Sequence, residues 1–376
     1  MIKEIKKLIV KYNGATVGYL AELDGKIGFQ YDEDWIDNGF NISPFSLPLE
    51  RKIFINKKDA FGGLYGVFAD SLPDGWGELL VRRMLSKREI NPDRLSPLTK
   101  LSLISGQGLG GLIYEPIQSE TYDNTLIELD EIAKEVKQIL NDETDNKNLD
   151  TIYKLGGSSG GARPKAHIKI NGEDWIVKFP CHYDPQNIGE KEYKANILAR
   201  KCGLTINECK LFDSNICSGY FGAKRFDRNK DGRVHMISLS SLLETTHRIP
   251  NLDYIHLLQV VQRICVDQSD MYEAFGRMCF NILYGNKDDH GKNFAFLYDE
   301  DKMGYKLSPF YDITQTKDKF EHEMTVNGVG NPTEKDLLEV AKIMKLSMQK
   351  CKEIIAKIKD ILCRVVNQAY GCVDVD

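Results

Sequence analysis

Apolar and polar positions alternate in several distinct registers along the chain. Near the start, KLIVKYNGATVGYLAELDGKIGFQY carries apolar and aromatic stretches broken by Asn-Gly and Asp-Gly. Those dipeptides accept the left-handed backbone of tight turns, so the pattern predicts hairpins. SPFSLPLE follows, and its prolines predict extended, irregular chain. In GVFADSLPDGWGELLVRRMLSKREI a loop gives way to an amphipathic helix, with Asp74 as its cap and Leu79, Leu80 and Met84 on the buried stripe. The cluster GQGLGGL at 106–112 predicts a turn or a tight packing point. Ile127, Ile132, Val136 and Ile139 then recur at helical spacing before the polar run NDETDNKNLD.

The pattern changes from residue 150 onward. HIKI and WIVKF predict two short strands around NGED, with Ile168, Ile170, Ile176 and Phe179 packing. EKEYKANILARKCGL predicts a helix ending near Gly203, and SGYFGAKRFDRNKDGRVHM a strand-turn region. LDYIHLLQVVQRIC and MYEAFGRMCFNILYG predict buried helices, TEKDLLEVAKIM and MQKCKEIIAKIKDILCRVV amphipathic ones. FAFLYDEDKMGYKLSPF predicts a hairpin turning at DEDKMG. No internal repeat stands out. We divide the chain into a β-rich, then helical, region at 1–120, a second region at 121–235 and a helical region at 236–376. An earlier first boundary, near residue 95, is the alternative.

Composition narrows the class. The chain has 376 residues, 42% hydrophobic and 28% charged, which is ordinary for a folded protein of two or three domains. A net charge of −5 leaves no global basic field for nucleic acid or a membrane surface. Nine scattered cysteines without a CxxC pair predict reduced thiols and a cytoplasmic protein, and they give zinc little support. The apolar run of the basic N-terminus is only LIV, so neither a signal peptide nor a membrane span is expected.

Three polar constellations carry chemistry. GGSSGGARPKAHIKI, 156–170, sets four glycines around two serines, letting main-chain amides approach an anion closely. Gly157, Ser158, Ser159, Gly160 and Gly161 are its phosphate-binding candidates, and a flexible hairpin loop is the plainer reading. The order is neither that of a P-loop nor of GxGxxG. In WIVKFP, Lys178 shares a strand face with Ile176, where its charge requires a partner such as nucleotide phosphates or Glu192 in the next helix. An edge-strand lysine that guards against aggregation reads equally well. The third constellation is GNKDDHGKNF, 285–294. Asp288 and Asn293, five residues apart in a loop, can face one metal–phosphate site. The aspartate would accept a hydroxyl proton and the asparagine oxygen would ligate a hard cation. His290 is a loop-fixing hydrogen-bonding residue or, alternatively, a general base. Asp289 is solvent-facing or acts locally. Asp312, nineteen residues beyond Asn293, returns across the hairpin as a second metal ligand or a strand-end cap. Glycine-rich loop, strand lysine, helix glutamate, catalytic aspartate and asparagine, then metal aspartate is the order of parts in a protein-kinase-like phosphotransferase, although HRD and DFG strings are absent.

GGSSGGARPKA, WIVKFP, KRFDR, GNKDDHGKN and LSPFYDIT, together with FADSLPDGWGELL, resemble the HipA-like serine/threonine kinases, toxin components of bacterial toxin–antitoxin systems. The resemblance implies an α+β, protein-kinase-like bilobal fold with an added N-terminal subdomain and a mostly helical C-terminal lobe. It implies ATP and Mg2+ as cofactors, Asp288 as catalytic aspartate, and Asn293 and Asp312 as magnesium ligands. Lys178 would contact ATP phosphates, with Glu192 at the helix-glutamate position. Arg225 and Phe226, in KRFDR, fall in the linker segment where backbone meets adenine, and Arg225, Asp227 and Arg228 suit structural ion pairs. His290 and Lys292 join the ATP-binding set. Ser158 matches the loop serine that becomes autophosphorylated in the family, where the added charge would hold the loop outward. The implied function is growth inhibition by phosphorylating a translation protein such as an aminoacyl-tRNA synthetase; the glutamyl enzyme is a target within the family, and the resemblance does not carry that exact target to this chain. The implied partner is a small helix-turn-helix antitoxin, so DNA is met only indirectly. A small-molecule kinase and a catalytically inactive kinase-fold module are the alternatives.

Overall fold

A computed structural model describes residues 2–58, 60–104, 108–119, 128–141, 149–316 and 318–370, with side chains as far as 365. The described chain forms two compact units, Met1–Glu190 with Glu208–Thr246, and Lys191–Asn207 with His247–Asp376.

The first unit contains two antiparallel sheets. Strands β1 (Lys7–Tyr12), β2 (Ala15–Leu23), β3 (Lys26–Tyr31), β4 (Phe54–Ile55) and β5 (Leu112–Glu115) line up in the order β4-β3-β2-β1-β5. Asn13-Gly14 and Asp24-Gly25 make the predicted turns, all four residues at positive φ. Helices α1 (Glu33–Asn38), α2 (Gly66–Ala69), α3 (Gly75–Lys87) and α4 (Pro97–Ser102) fill the connections. Next come α5 (Leu129–Leu140) and α6 (Leu149–Gly156). Ile132, Val136 and Ile139 are the buried stripe of α5, as their spacing predicts, whereas Ile127 and the 120/121 boundary lie outside the described residues.

The second sheet is built from β6 (Lys165–Ile170), β7 (Glu173–Lys178), β8 (Cys209–Phe212) and β9 (Tyr220–Lys224), in the order β6-β7-β9-β8. Asn171-Gly172 turns the β6–β7 hairpin, again at positive φ. Ile168 and Ile170 pack against the core and Phe179 lies in it, as expected, but the core face of β7 is not the one that carries Ile176. Trp175 and Val177 are buried, with Phe179 just beyond, while Ile176 shares the half-buried face with Lys178. The period of two fixes which residues go together, and the larger Trp175 ring decides which set faces the core. That core joins Trp76 and Leu80 of α3 to the stripe of α5, Ile152 and Leu155 of α6, and Tyr220. The ribbon of β10 (Arg228–Asn229) and β11 (Gly232–Arg233), strand β12 (Met236–Ser238) and helix α8 (Leu239–Leu242) complete this unit.

Helix α7 (Ile188–Lys201) starts in the first unit and ends in the second, where Gly203 follows at φ 94°. In the second unit α9 (Tyr254–Ile264) and α10 (Ser269–Tyr284) pack on the hairpin of β13 (Ala295–Asp299) and β14 (Gly304–Leu307), and α11 (Glu334–Ile343) and α12 (Met348–Tyr370) pack on α10. Phe275, Phe280, Phe294, Phe296 and Phe310 are all buried in it. Gly285, at φ 79°, ends α10 in a left-handed cap and turns the chain into the polar loop 286–293. Among the described residues no helix is long and apolar enough to cross a membrane.

Candidate active site

In the first unit the glycine-rich segment leaves α6 at Gly156 and enters β6 at Lys165. Ser159 is buried, its hydroxyl donating to the Gly156 carbonyl at 2.6 Å. Ser158 is 7% exposed, and its enclosed hydroxyl has no hydrogen-bond partner among the described residues. Phosphorylation at Ser158 therefore requires the loop to leave this position. Lys165 donates from Nζ to the Gly160 carbonyl at 2.5 Å, closing the loop on itself.

Asp74 occupies the N-cap position of α3, as expected, but not with its side chain. Its side chain makes no cap bond, and the carboxylate accepts instead from the Gly161 amide. Trp76 N–H donates to the Gly161 carbonyl at 2.9 Å, and the Trp76 ring N–H donates to the Lys165 carbonyl at 3.1 Å. The approach demands glycine in the facing turn: a Cβ at Gly75 would sit 2.4 Å from the Gly161 oxygen, one at Gly77 2.2 Å from the Ser159 oxygen. The DGWG string thus clamps the glycine-rich loop. Asp74→Ala should release it, at about 1.5–3 kcal/mol for a hydrogen bond to a charged group. The expected result is at least about tenfold faster hydrogen exchange of the 157–163 amides, measured by mass spectrometry.

Lys178 ends β7, its ammonium 5.8 Å from the centre of the Phe221 ring. Phe226 is half-buried. Arg225 is fully committed to the fold. It donates from Nε to Asp227 Oδ1 at 2.8 Å, and from Nη2 to Asp227 Oδ2 at 2.7 Å and to the Gly108 carbonyl at 2.9 Å. Its Nη1 lies 3.3 Å from His167 Nδ1, which must accept because a guanidinium only donates. Burial first, and then Arg225, push the His167 imidazole well below its usual range, so it is neutral. Arg228 also reaches Asp227, and the Gly110 amide donates to it at 2.7 Å. The 108–112 half of the glycine cluster is therefore a packing point.

In the second unit Glu192 is buried in α7. The 286–293 loop brings Asp288 and Asn293 together: Asn293 Nδ2 donates to the Asp288 main-chain oxygen at 2.7 Å. That bond commits the amide nitrogen, and the Asn293 side-chain oxygen has no partner among the described residues. Asp312 follows the hairpin at φ 56°, a left-handed backbone uncommon outside glycine and more frequent for Asp. Its neighbour Tyr311 donates to the Lys292 carbonyl at 2.6 Å, which ties the chain beside Asp312 to the chain beside Asn293. His290 is half-buried, its ring centre 5.1 Å from that of His247, and its enclosed Nδ1 has no hydrogen-bond partner among the described residues. Two oxygen donors, an asparagine amide and a carboxylate, suit magnesium, which takes few protein ligands and keeps water and phosphate oxygens. Among the described residues no three His, Cys, Asp or Glu side chains are grouped to hold a metal without such help.

Two residues escape the sequence reading. Asp289, expected at the surface or in a local role, is 1% exposed. It accepts from Tyr254 Oη at 2.6 Å and from the Glu323 amide at 2.9 Å, and it pairs with His322 Nδ1 at 2.8 Å. Burial first, then the Asp289 carboxylate, raise the Tyr254 phenol well above its usual range, so it stays a donor. Lys319 is the other. Its Nζ sits 2.5 Å from Asp288 Oδ1 and 2.7 Å from Glu323 Oε1. Burial works against its charge, but the bonds to Asp288 and Glu323 outweigh that and hold the ammonium above the usual lysine range. The contacts to Asp288 and Asp289 have no local signal, because each joins residues more than 30 positions apart.

Comparison with known proteins identifies the fold and family. "Putative kinase Y4dM" of Sinorhizobium fredii is 30% identical over 167 residues, spanning 41% of this chain and 40% of that protein. "Putative kinase Y4mE" of the same organism is 26% identical over 350 residues, spanning 83% and 78%. The solved structure of the Shewanella oneidensis MR-1 toxin–antitoxin HipA, HipB and operator DNA complex contains a chain with TM-score 0.71 at 18% identity, covering 98% of this chain and 92% of that one. The fold class is the expected one: α+β and kinase-like, with an added β-rich N-terminal region and a mostly helical C-terminal lobe. The HipA N-terminal domain matches residues 8–115, and the HipA-like C-terminal domain matches 157–366, more than half of the sequence. The chain belongs to the HipA-like family.

Proposed function

We propose that the chain is an ATP-dependent serine/threonine protein kinase that acts as a growth-inhibiting toxin in the cytoplasm. The observation that carries this reading is the loop 286–293, where the Asp288 carboxylate is 39% exposed and the Asn293 amide oxygen beside it has no partner among the described residues. In this reading Asp288 orients the acceptor hydroxyl and takes its proton, which contributes catalysis by positioning and by general base action. Asn293 and Asp312 would hold Mg2+, which supplies charge neutralisation of the nucleotide phosphates when bound. Residues 121–235 would carry the nucleotide-holding parts: the amides and hydroxyls of 157–161, Lys178, and the backbone around Arg225 and Phe226. Residues 236–376 would carry the transfer residues, with His290 and Lys292 serving the phosphates; Glu192, in α7, would be the family's helix glutamate.

The partner reading draws support from the Shewanella complex, which joins a HipA to HipB and operator DNA. We infer a small helix-turn-helix antitoxin for this chain, with DNA met through it. The substrate would be a protein of translation such as an aminoacyl-tRNA synthetase, modified on a serine. The test incubates the full chain, magnesium and ATP with candidate synthetases, and reads intact mass. One added phosphoryl group on a synthetase, lost when EDTA replaces magnesium, is the expected outcome. ATP binding with neither ADP release nor a mass gain on any protein would identify a non-catalytic module instead.

A further inference from the structure

Three consecutive residues of the 286–293 loop grip one five-residue segment. Lys287 Nζ donates to the carbonyls of Lys319 and Phe320, at 3.1 and 2.8 Å. Asp289, from the buried side, takes His322 and the Glu323 amide. Between these two anchors Asp288 receives the Lys319 ammonium at 2.5 Å, and Glu323 Oε1 holds that ammonium from behind at 2.7 Å. The flanking bonds fix the backbone of 319–323 against the loop, and the side chain they deliver to Asp288 is Lys319. No other side chain among the described residues bonds to the Asp288 carboxylate. An exposed ion pair contributes little to stability, so the anchoring of this segment is out of proportion to what Lys319 adds to the fold. It is in proportion to a need for one orientation of the carboxylate, because a misplacement of about 1 Å at a reacting group can cost about a hundredfold in rate.

We propose that Lys319 is a positioning residue for phosphoryl transfer: with Glu323 as its own support, it holds the Asp288 carboxylate in the orientation that meets the acceptor hydroxyl. The proposal rests on the kinase reading above. It assigns Lys319 no contact with nucleotide, which separates it from a phosphate-binding lysine.

The test uses the full chain with Lys319→Met, Lys319→Arg and Glu323→Gln, beside the parent and Asp288→Asn. ADP release from magnesium–ATP is the acceptor-independent activity, with water standing in for the hydroxyl. Affinity for magnesium–AMP-PNP, measured by calorimetry, and the thermal midpoint are the readouts that do not depend on turnover. Lys319→Met should lower kcat by about a hundredfold, with KM for ATP, AMP-PNP affinity and thermal midpoint close to the parent's. Lys319→Arg should recover part of kcat because it keeps a cation for Asp288, and Glu323→Gln should lose far less than Lys319→Met. Parental kcat in Lys319→Met overturns the proposal. So does AMP-PNP affinity falling in step with kcat, which would make Lys319 a nucleotide ligand, or an arginine variant no better than methionine. A parent that binds AMP-PNP and releases no ADP overturns the kinase reading itself, and the role of Lys319 falls with it.

Discussion

Asp288→Asn is expected to lower phosphoryl transfer by about a thousandfold, within the range that a positioned general base contributes, while the protein stays folded. The substitution keeps the size and planarity of the side chain and removes its capacity to accept a proton. Its structural cost is small for a reason visible in the loop. Asp288 and Lys319 are 39% and 34% exposed, so their pair contributes at most about 1 kcal/mol. Lys319 also keeps Glu323 when Asp288 loses its charge, and the Asn293 bond goes to the Asp288 main chain, which the substitution does not touch. Single-turnover transfer from labelled ATP, with the unfolding midpoint measured on the same preparations, checks both halves. Parental transfer by a folded Asp288→Asn protein would remove Asp288 from the base position and leave the family assignment intact.

Local chemistry was legible in the sequence where a short segment decides its own geometry. Asn13-Gly14, Asp24-Gly25 and Asn171-Gly172 all turn as their residue types dictate, because few other pairs adopt two successive left-handed conformations. The stripe of Ile132, Val136 and Ile139 orients α5 for the same reason: the helical period alone puts those side chains on one face. The hairpin after Asn293 was legible too, and it returns the chain so that Tyr311 reaches the Lys292 carbonyl. What failed was long-range pairing of polar groups. Asp74 looks like a helix cap by position, but a main-chain amide 87 residues away takes its carboxylate. Asp289 looks like a surface charge, yet Tyr254, His322 and Glu323 converge on it from two other segments. Alternation along β7 grouped Ile176 with Lys178 correctly and could not say which face the core takes; Trp175 settles that through partners in α3, α5 and α6. A buried polar atom is tolerated only with a partner, and periodicity does not name the partner.

Asp227→Ala should be the most damaging single change in the first unit, at about 3–5 kcal/mol, the range for breaking a buried ion pair from one side. The carboxylate gathers Arg225, Arg228 and the Gly110 amide, and it pairs with an Arg225 guanidinium that is 1% exposed. Removing it leaves the Arg225 charge buried among the Gly108 carbonyl and a neutral His167, neither of which carries an opposing charge. The loop 108–111 and the end of β9 lose their shared anchor at the same time. Trp35, Trp76 and Trp175 all lie in this unit, so tryptophan fluorescence in urea follows its unfolding; the midpoint should fall with little change of slope. The pH dependence gives a second check. Burial alone would raise the Asp227 carboxyl, but Arg225 and then Arg228 overcome it and hold the group well below the usual carboxylate range. A folded-state value below the unfolded one, near 3.9, means stability that is complete above that pH and lost as pH falls toward the folded value. The gap between parent and Asp227→Ala should therefore be full at pH 7 and narrow at pH 3. A gap of the same size at both pH values would show that the carboxylate's charge is not what holds Arg225 in place.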